Sequence, residues 1–132
     1  MIKVVIVDDV PELQVNFKNL IELDREIKVA GFAANGIEVL KACDELAPDV
    51  VLMDLDMPVC NGVIGTQLIK RAFPKIKILV LTGSNSDEGL LNALQSGADG
   101  YIMKEANSEV LISAIKKTFT GESTIGPEVL IP

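Results

Sequence analysis

The stretch Val50-Val51-Leu52-Met53-Asp54-Leu55-Asp56-Met57-Pro58 decides the fold. A short apolar run ends abruptly in acid, and a proline-marked turn follows. A strand that is apolar on both faces belongs in the middle of a parallel sheet covered by helices on each side. In such sheets ligands gather beyond the carboxyl ends of the strands. Asp54 stands at that end and reads as the functional centre.

Outward from this strand the chain alternates. Residues 2 to 7 are mostly β-branched and read as a buried first strand that ends at Asp8 and Asp9. Pro11 suits the first position of a helix whose inward stripe reads Leu13, Phe17, Leu20 and Ile21. Ile27 to Ala33 is a second strand, and Asn35 can cap a helix carrying Ile37, Leu40, Cys43 and Ala47, ended by Pro48. After the central strand, Asn61-Gly62 precedes a helix with Ile64, Leu68, Ile69 and Ala72 inward, closed before Pro74. Lys77 to Leu81 is a fourth strand, and Ser86 can cap a helix holding Leu90, Leu91 and Leu94, ended near Gly97. Residues 100 to 103 form a short fifth strand running into Lys104. Asn107 or Ser108 caps the last helix, with Val110, Leu111, Ala114, Ile115 and Phe119 inward and Gly121 as its stop. Strand and helix alternating in this way predict a doubly wound α/β domain, a parallel sheet with right-handed crossovers and helices on both faces.

Composition bounds the function. At 132 residues and 48% hydrophobic the chain fits one domain with its own core. No apolar stretch approaches the roughly 20 residues of a membrane span, and no signal peptide is visible, so the cytoplasm is the expected compartment. Cys43 and Cys60 make no metal-ligand spacing and read as buried or incidental thiols. A formal charge of −7 opposes non-specific binding to nucleic acid or anionic lipid. The sequence has no histidine, which excludes catalytic triads and His-ligated zinc.

In this layout Asp8, Asp9, Asp54, Thr82 and Lys104 converge on one rim past the ends of the first, third, fourth and fifth strands. A lone acid at a strand end is more often a helix cap or a solvated loop charge. The constellation changes that reading, whereas Glu22, Asp24, Glu38 and Glu45 read as solvated helix charge. Carboxylates crowded on one patch repel and invite a hard cation, and an all-oxygen set suits Mg²⁺. A carboxylate beside a divalent cation and a lysine can attack a phosphoryl group, with Thr82 and Lys104 binding the product.

These residues resemble the receiver domain of two-component response regulators along nearly the whole chain. The acid pair ends the first strand; Asp54 ends the third, followed by Met57-Pro58 and Gly62; Thr82 ends the fourth and Lys104 the fifth. The resemblance implies a flavodoxin-like (βα)5 sheet in 2-1-3-4-5 order and phosphorylation of Asp54 by a histidine kinase or phosphotransfer protein. It implies Mg²⁺ bound by Asp9, Asp54 and the main-chain carbonyl of Asp56, with Asp8 acting mainly through water. Lys104 and Thr82 would contact the phosphoryl oxygens. Asp56 and Ser84, flanking the site, are expected to tune the acyl phosphate's lifetime by ordering or blocking water. Thr82 and Tyr101 are expected to form a switch: a hydroxyl drawn to the phosphate vacates space that an aromatic ring fills. The face of the fourth helix, fifth strand and fifth helix would then respond by dimerisation or partner contact.

The runs Leu79-Val80-Leu81-Thr82 and Gly97-Ala98-Asp99-Gly100-Tyr101-Ile102-Met103-Lys104 look most like the NarL/FixJ-type subfamily, whose receivers precede a DNA-binding domain. Residues 1–121 are accordingly expected to be the receiver and 122–132 the start of a linker, DNA being reached only through an output domain. Glu105 stands where many receivers have proline, and Cys60 and Asn61 replace the more usual Met and Asp. A stand-alone receiver acting through protein contacts is the alternative. Asp54-Leu55-Asp56 also resembles the motif of haloacid-dehalogenase-like phosphatases, but those usually carry threonine where this chain has Pro58. A non-phosphorylated pseudo-receiver conflicts with the complete set of phosphorylation residues.

Overall fold

A computed structural model of the chain describes residues 1–55, 62–83 and 88–121, without the side chains of Glu88 and Gly89. The elements run β1 (Ile2–Val7), α1 (Pro11–Ile21), β2 (Ile27–Ala33), α2 (Glu38–Leu46), β3 (Val50–Asp54), α3 (Gly62–Ala72), β4 (Lys77–Thr82), α4 (Glu88–Gln95), β5 (Gly100–Met103) and α5 (Ser108–Thr120). All strand pairs are parallel, in the order β2-β1-β3-β4-β5. The sheet is the flavodoxin-like one expected. Its register sets Ile6 beside Leu52, Leu52 beside Leu79 and Asp54 beside Leu81.

Successive strand residues point to opposite faces, which divides the interior into two layers. Val5, Val7, Val51, Met53, Ile78 and Val80 pack against α2, α3 and α4. Val4, Ile6, Val50, Leu52, Leu79 and Leu81 pack against α1 and α5. Leu52 is fully buried, and full burial of such a side chain contributes about 2 kcal/mol. Cys43 joins the first layer, where burial pushes its thiol up to about 11, so it behaves as a small apolar side chain.

The helix faces differ from the expected stripes. Leu13, Ile37, Ile64, Leu91, Val110 and Phe119 are exposed, as are Ala47 and Ala72. The inward positions of α5 are Leu111, Ala114, Ile115 and Thr118. Those of α3 are Gly62, Gly65, Thr66 and Ile69. On α1 the buried residues are Phe17 and Ile21, and the part-buried Gln14 bonds the main chain of Asp8. A stripe drawn from apolar residues alone skips a glutamine, two threonines and two glycines, and so rotates each face away from its true centre. On α3 the small residues let the helix approach closely: a Cβ on Gly65 would meet the Cα of Gly36 at 3.2 Å.

Most expected helix ends hold where they are described, but α2 starts at Glu38 with Ile37 at its cap position, and Asn35 closes the turn before it. The Asn35 carboxamide oxygen accepts from the amides of Ile37 (2.8 Å) and Glu38 (2.9 Å), and that of Asn107 from Val110 N (3.0 Å). Gly97 and Gly121 follow α4 and α5 with φ of 111° and 89°, the left-handed turn that stops a helix. Glu22 and Glu38, expected as solvated charge, instead accept from the main-chain amides of Val29 (2.9 Å) and Ala34 (3.2 Å). Asp24 lies beyond α1 and pairs with Lys116 at 2.7 Å. The Ser86 cap lies outside the described residues.

Candidate functional site

β1 delivers Asp8 to the carboxyl-end rim, and the surrounding main chain fixes it there. Its amide donates to Ala33 O (3.0 Å), continuing the pairing of β1 with β2 by one residue. Its Oδ1 accepts from Val10 N at 2.9 Å, and its carbonyl accepts from the Gln14 carboxamide at 2.7 Å. Its other carboxylate oxygen, Oδ2, is buried with no hydrogen-bond partner among the described residues. Burial pushes the Asp8 carboxyl above its ordinary value; the Val10 amide opposes this, while the charges of Asp54 and Asp9 add to it.

Asp54 ends β3 at 2% exposure, beside the exposed Asp9. One carboxylate oxygen each from Asp8, Asp9 and Asp54 lie within 4.8 Å of one another. Lys104 reaches in from just past β5, its Nζ 2.8 Å from Asp54 Oδ1. The Lys104 amide donates to Thr82 O (2.9 Å), which brings the ends of β4 and β5 to the same level. Thr82 is buried, and strand alternation puts its side chain on the face shared by Val80 and α4. Tyr101 is beside Val80 in the register and packs, half-buried, against the same layer. The five rim residues singled out in the sequence are thus brought together, with Tyr101 two residues below the rim.

The main chain beside Asp54 is tightly constrained. Leu55 N donates to Leu81 O (3.3 Å), and Gly62 N to Leu55 O (3.2 Å). A Cβ on Gly62 would collide with the Asp54 carbonyl and lie 2.8 Å from Leu55 Cα. Gly62 is therefore where α3 starts against the site, and only glycine fits.

Three clustered carboxylates, one with a buried and unpartnered oxygen, form a hard all-oxygen donor set, which fits a divalent cation such as Mg²⁺ and suits soft metals poorly. The expected further ligand, the Asp56 carbonyl, lies outside the described residues, as does Ser84. Gln14, bonded to the Asp8 carbonyl, lies beside the site and is not singled out by the sequence reading. Its only sequence signal is a polar side chain in the inward arc of α1.

Residues 4–116 match the family model of the response regulator receiver domain. The chain is 37% identical over 129 residues to the transcriptional regulatory protein LnrK of Bacillus subtilis, covering 98% of this chain and 59% of that protein. It is 38% identical over 130 residues to the response regulator protein VraR of Staphylococcus epidermidis, covering 98% and 62%. The chain thus spans about three fifths of the length of these curated relatives. Among solved structures it resembles a LuxR-family two-component response regulator from Aurantimonas sp. SI85-9A1, with TM-score 0.88 at 28% identity, covering 98% of this chain and 93% of that one. It also resembles the isolated receiver domain of RcsB from Salmonella enterica serovar Typhimurium in the presence of BeF3⁻, with TM-score 0.84 at 25% identity, covering 98% and 96%. The chain belongs to the response regulator receiver family of two-component signalling.

Proposed function

We propose that this receiver is phosphorylated on Asp54 and that the acyl phosphate switches the face formed by α4, β5 and α5. The observation that carries the reading is the buried Asp54 carboxylate, 2.8 Å from the Lys104 ammonium and within one cluster with Asp8 and Asp9. An Asp54 oxygen attacks phosphorus in the phosphohistidine of a kinase or phosphotransfer protein. The P–N bond breaks, and the imidazole leaves with its electron pair and takes up a proton. Lys104, ion-paired to Asp54 beforehand, moves to a phosphoryl oxygen, and the Thr82 hydroxyl donates to another. Asp8, Asp9 and Asp54, together with the Asp56 carbonyl, would hold Mg²⁺, which when bound offsets the charge on the transferred oxygens. Asp56 and Ser84 set how readily water reaches the acyl phosphate.

Thr82 and Tyr101 share the α4 face of the sheet, which favours the switch reading. Drawing Thr82 toward the phosphate opens room on that face for the Tyr101 ring, and the two arrangements exchange population on phosphorylation. Residues 1–121 constitute the receiver and 122–132 begin the linker to an output domain. That output is DNA-binding, in keeping with the description of LnrK as a transcriptional regulatory protein. The site of action is the cytoplasm; none of the described helices is long and apolar enough to cross a membrane.

The test is intact-mass analysis after incubation with acetyl phosphate and Mg²⁺. Wild type is expected to carry one labile phosphoryl group, and Asp54→Asn or chelated wild type almost none. Undiminished uptake by Asp54→Asn would refute the assignment.

A further inference from the structure

We infer that Gln14 is a positioning residue for the acid cluster, tethering the main chain of Asp8 so that its carboxylate stays at the cation-binding corner. The inference rests on the proposed cation role of that cluster. Asp8 lies just past the last residue of β1 and is held at three points: amide to Ala33 O (3.0 Å), Oδ1 to Val10 N (2.9 Å) and carbonyl to Gln14 Nε2 (2.7 Å). Among the described residues, only the third tether comes from another residue's side chain. The same Nε2 also reaches Ala33 O at 3.4 Å, so one carboxamide spans the ends of β1 and β2.

Packing alone does not call for a glutamine there. Gln14 shares the inward arc of α1 with Phe17 and Ile21, where an apolar side chain would seal the layer, and a partly buried amide is costly unless bonded. What needs restraint is next door. Asp8 is a buried carboxylate with an oxygen within 4.8 Å of those of Asp9 and Asp54, and like charges that close repel one another. A tether on the following carbonyl resists that repulsion. Groups that orient a metal ligand without touching the metal typically change its affinity about 10- to 100-fold when removed.

The experiment is Mg²⁺ titration of the purified chain by calorimetry at pH 8, alongside the thermal midpoint of the metal-free protein. Gln14→Leu keeps the bulk and loses the donor; it is expected to weaken Mg²⁺ binding about tenfold with little change in the metal-free midpoint. Gln14→His places a neutral N–H donor near the same spot at this pH and is expected to restore most of the affinity. Wild-type affinity in Gln14→Leu, or a loss that Gln14→His does not restore, would overturn the inference while leaving the cation site standing. Absence of Mg²⁺ binding by wild type would instead remove the proposed cation role, and this inference with it.

Discussion

The two ends of the sheet use the same residue types to opposite effect. Near the amino ends of the strands, Lys3, Asp49, Lys70 and Asp99 each find a partner. Asp49 Oδ2 accepts from Lys3 N (2.9 Å), and Lys3 Nζ donates to Leu46 O (2.6 Å). Asp99 Oδ2 accepts from Ile78 N (2.8 Å) and pairs with Lys70 Nζ (2.7 Å), which also donates to Ile76 O (2.8 Å). At the carboxyl ends three carboxylates crowd together, one with a buried oxygen that has no partner among the described residues. Thr118 Oγ1 shares that unpartnered status on α5, but a neutral hydroxyl costs far less to bury than a carboxylate. Acids that close main-chain hydrogen bonds hold the fold. The Asp8 oxygen that burial leaves without a partner among the described residues marks the place where a ligand would complete the bonding.

The contrast breaks most severely at Gly62. In Gly62→Ala the added Cβ meets main chain at Asp54 and Leu55, so the backbone under the acid must move. Overpacking of this kind costs about 3 kcal/mol, and it is expected to abolish phosphate uptake as well. Urea unfolding and acetyl phosphate labelling of the same preparation check both. At the other end, Asp99→Ala removes the acceptor of Ile78 N and the partner of Lys70, at an expected cost of about 2 kcal/mol by urea unfolding. Its Mg²⁺ affinity is expected to match wild type; a loss there would mean that the two ends are not separable.

The rim was more legible in the sequence than the helix faces were. Strand ends are written sharply: Val7 to Asp8, Met53 to Asp54, Leu81 to Thr82 and Met103 to Lys104 each change from apolar to polar in one step, and parallel topology carries those steps to one edge. Helix faces are written in a weaker code. Thr66 is buried, and Gly62 and Gly65 face the sheet, because close approach and a local hydroxyl bond matter there more than hydrophobicity; Thr118 is buried as well, on the inward face of α5. The Thr66 hydroxyl donates to Gly62 O at 2.7 Å, a bond that makes its burial cheap and that composition does not reveal. Gln14 escaped notice for the same reason: its value lies in two carbonyls that only the folded chain brings within reach.

Asp8 is held against its own electrostatics at the corner proposed for the cation, and the pH dependence of unfolding in metal-free wild type and Asp8→Asn measures this. Burial raises the Asp8 carboxyl in the folded state, so the native protein holds that proton more readily than the unfolded chain. Its favourable contribution is therefore present below the ordinary value of 3.8 and lost as pH rises through the raised folded value. Asn at this position keeps an oxygen for the Val10 amide and removes the charge. Without metal, Asp8→Asn is expected to exceed wild type in stability at pH 7, with the gap shrinking to nothing as pH falls below the carboxylate range. Saturating Mg²⁺ is expected to stabilise wild type and leave Asp8→Asn nearly unchanged. A variant no more stable than wild type at pH 7 without metal, or one stabilised by Mg²⁺ as much as wild type, would rule out this role for Asp8.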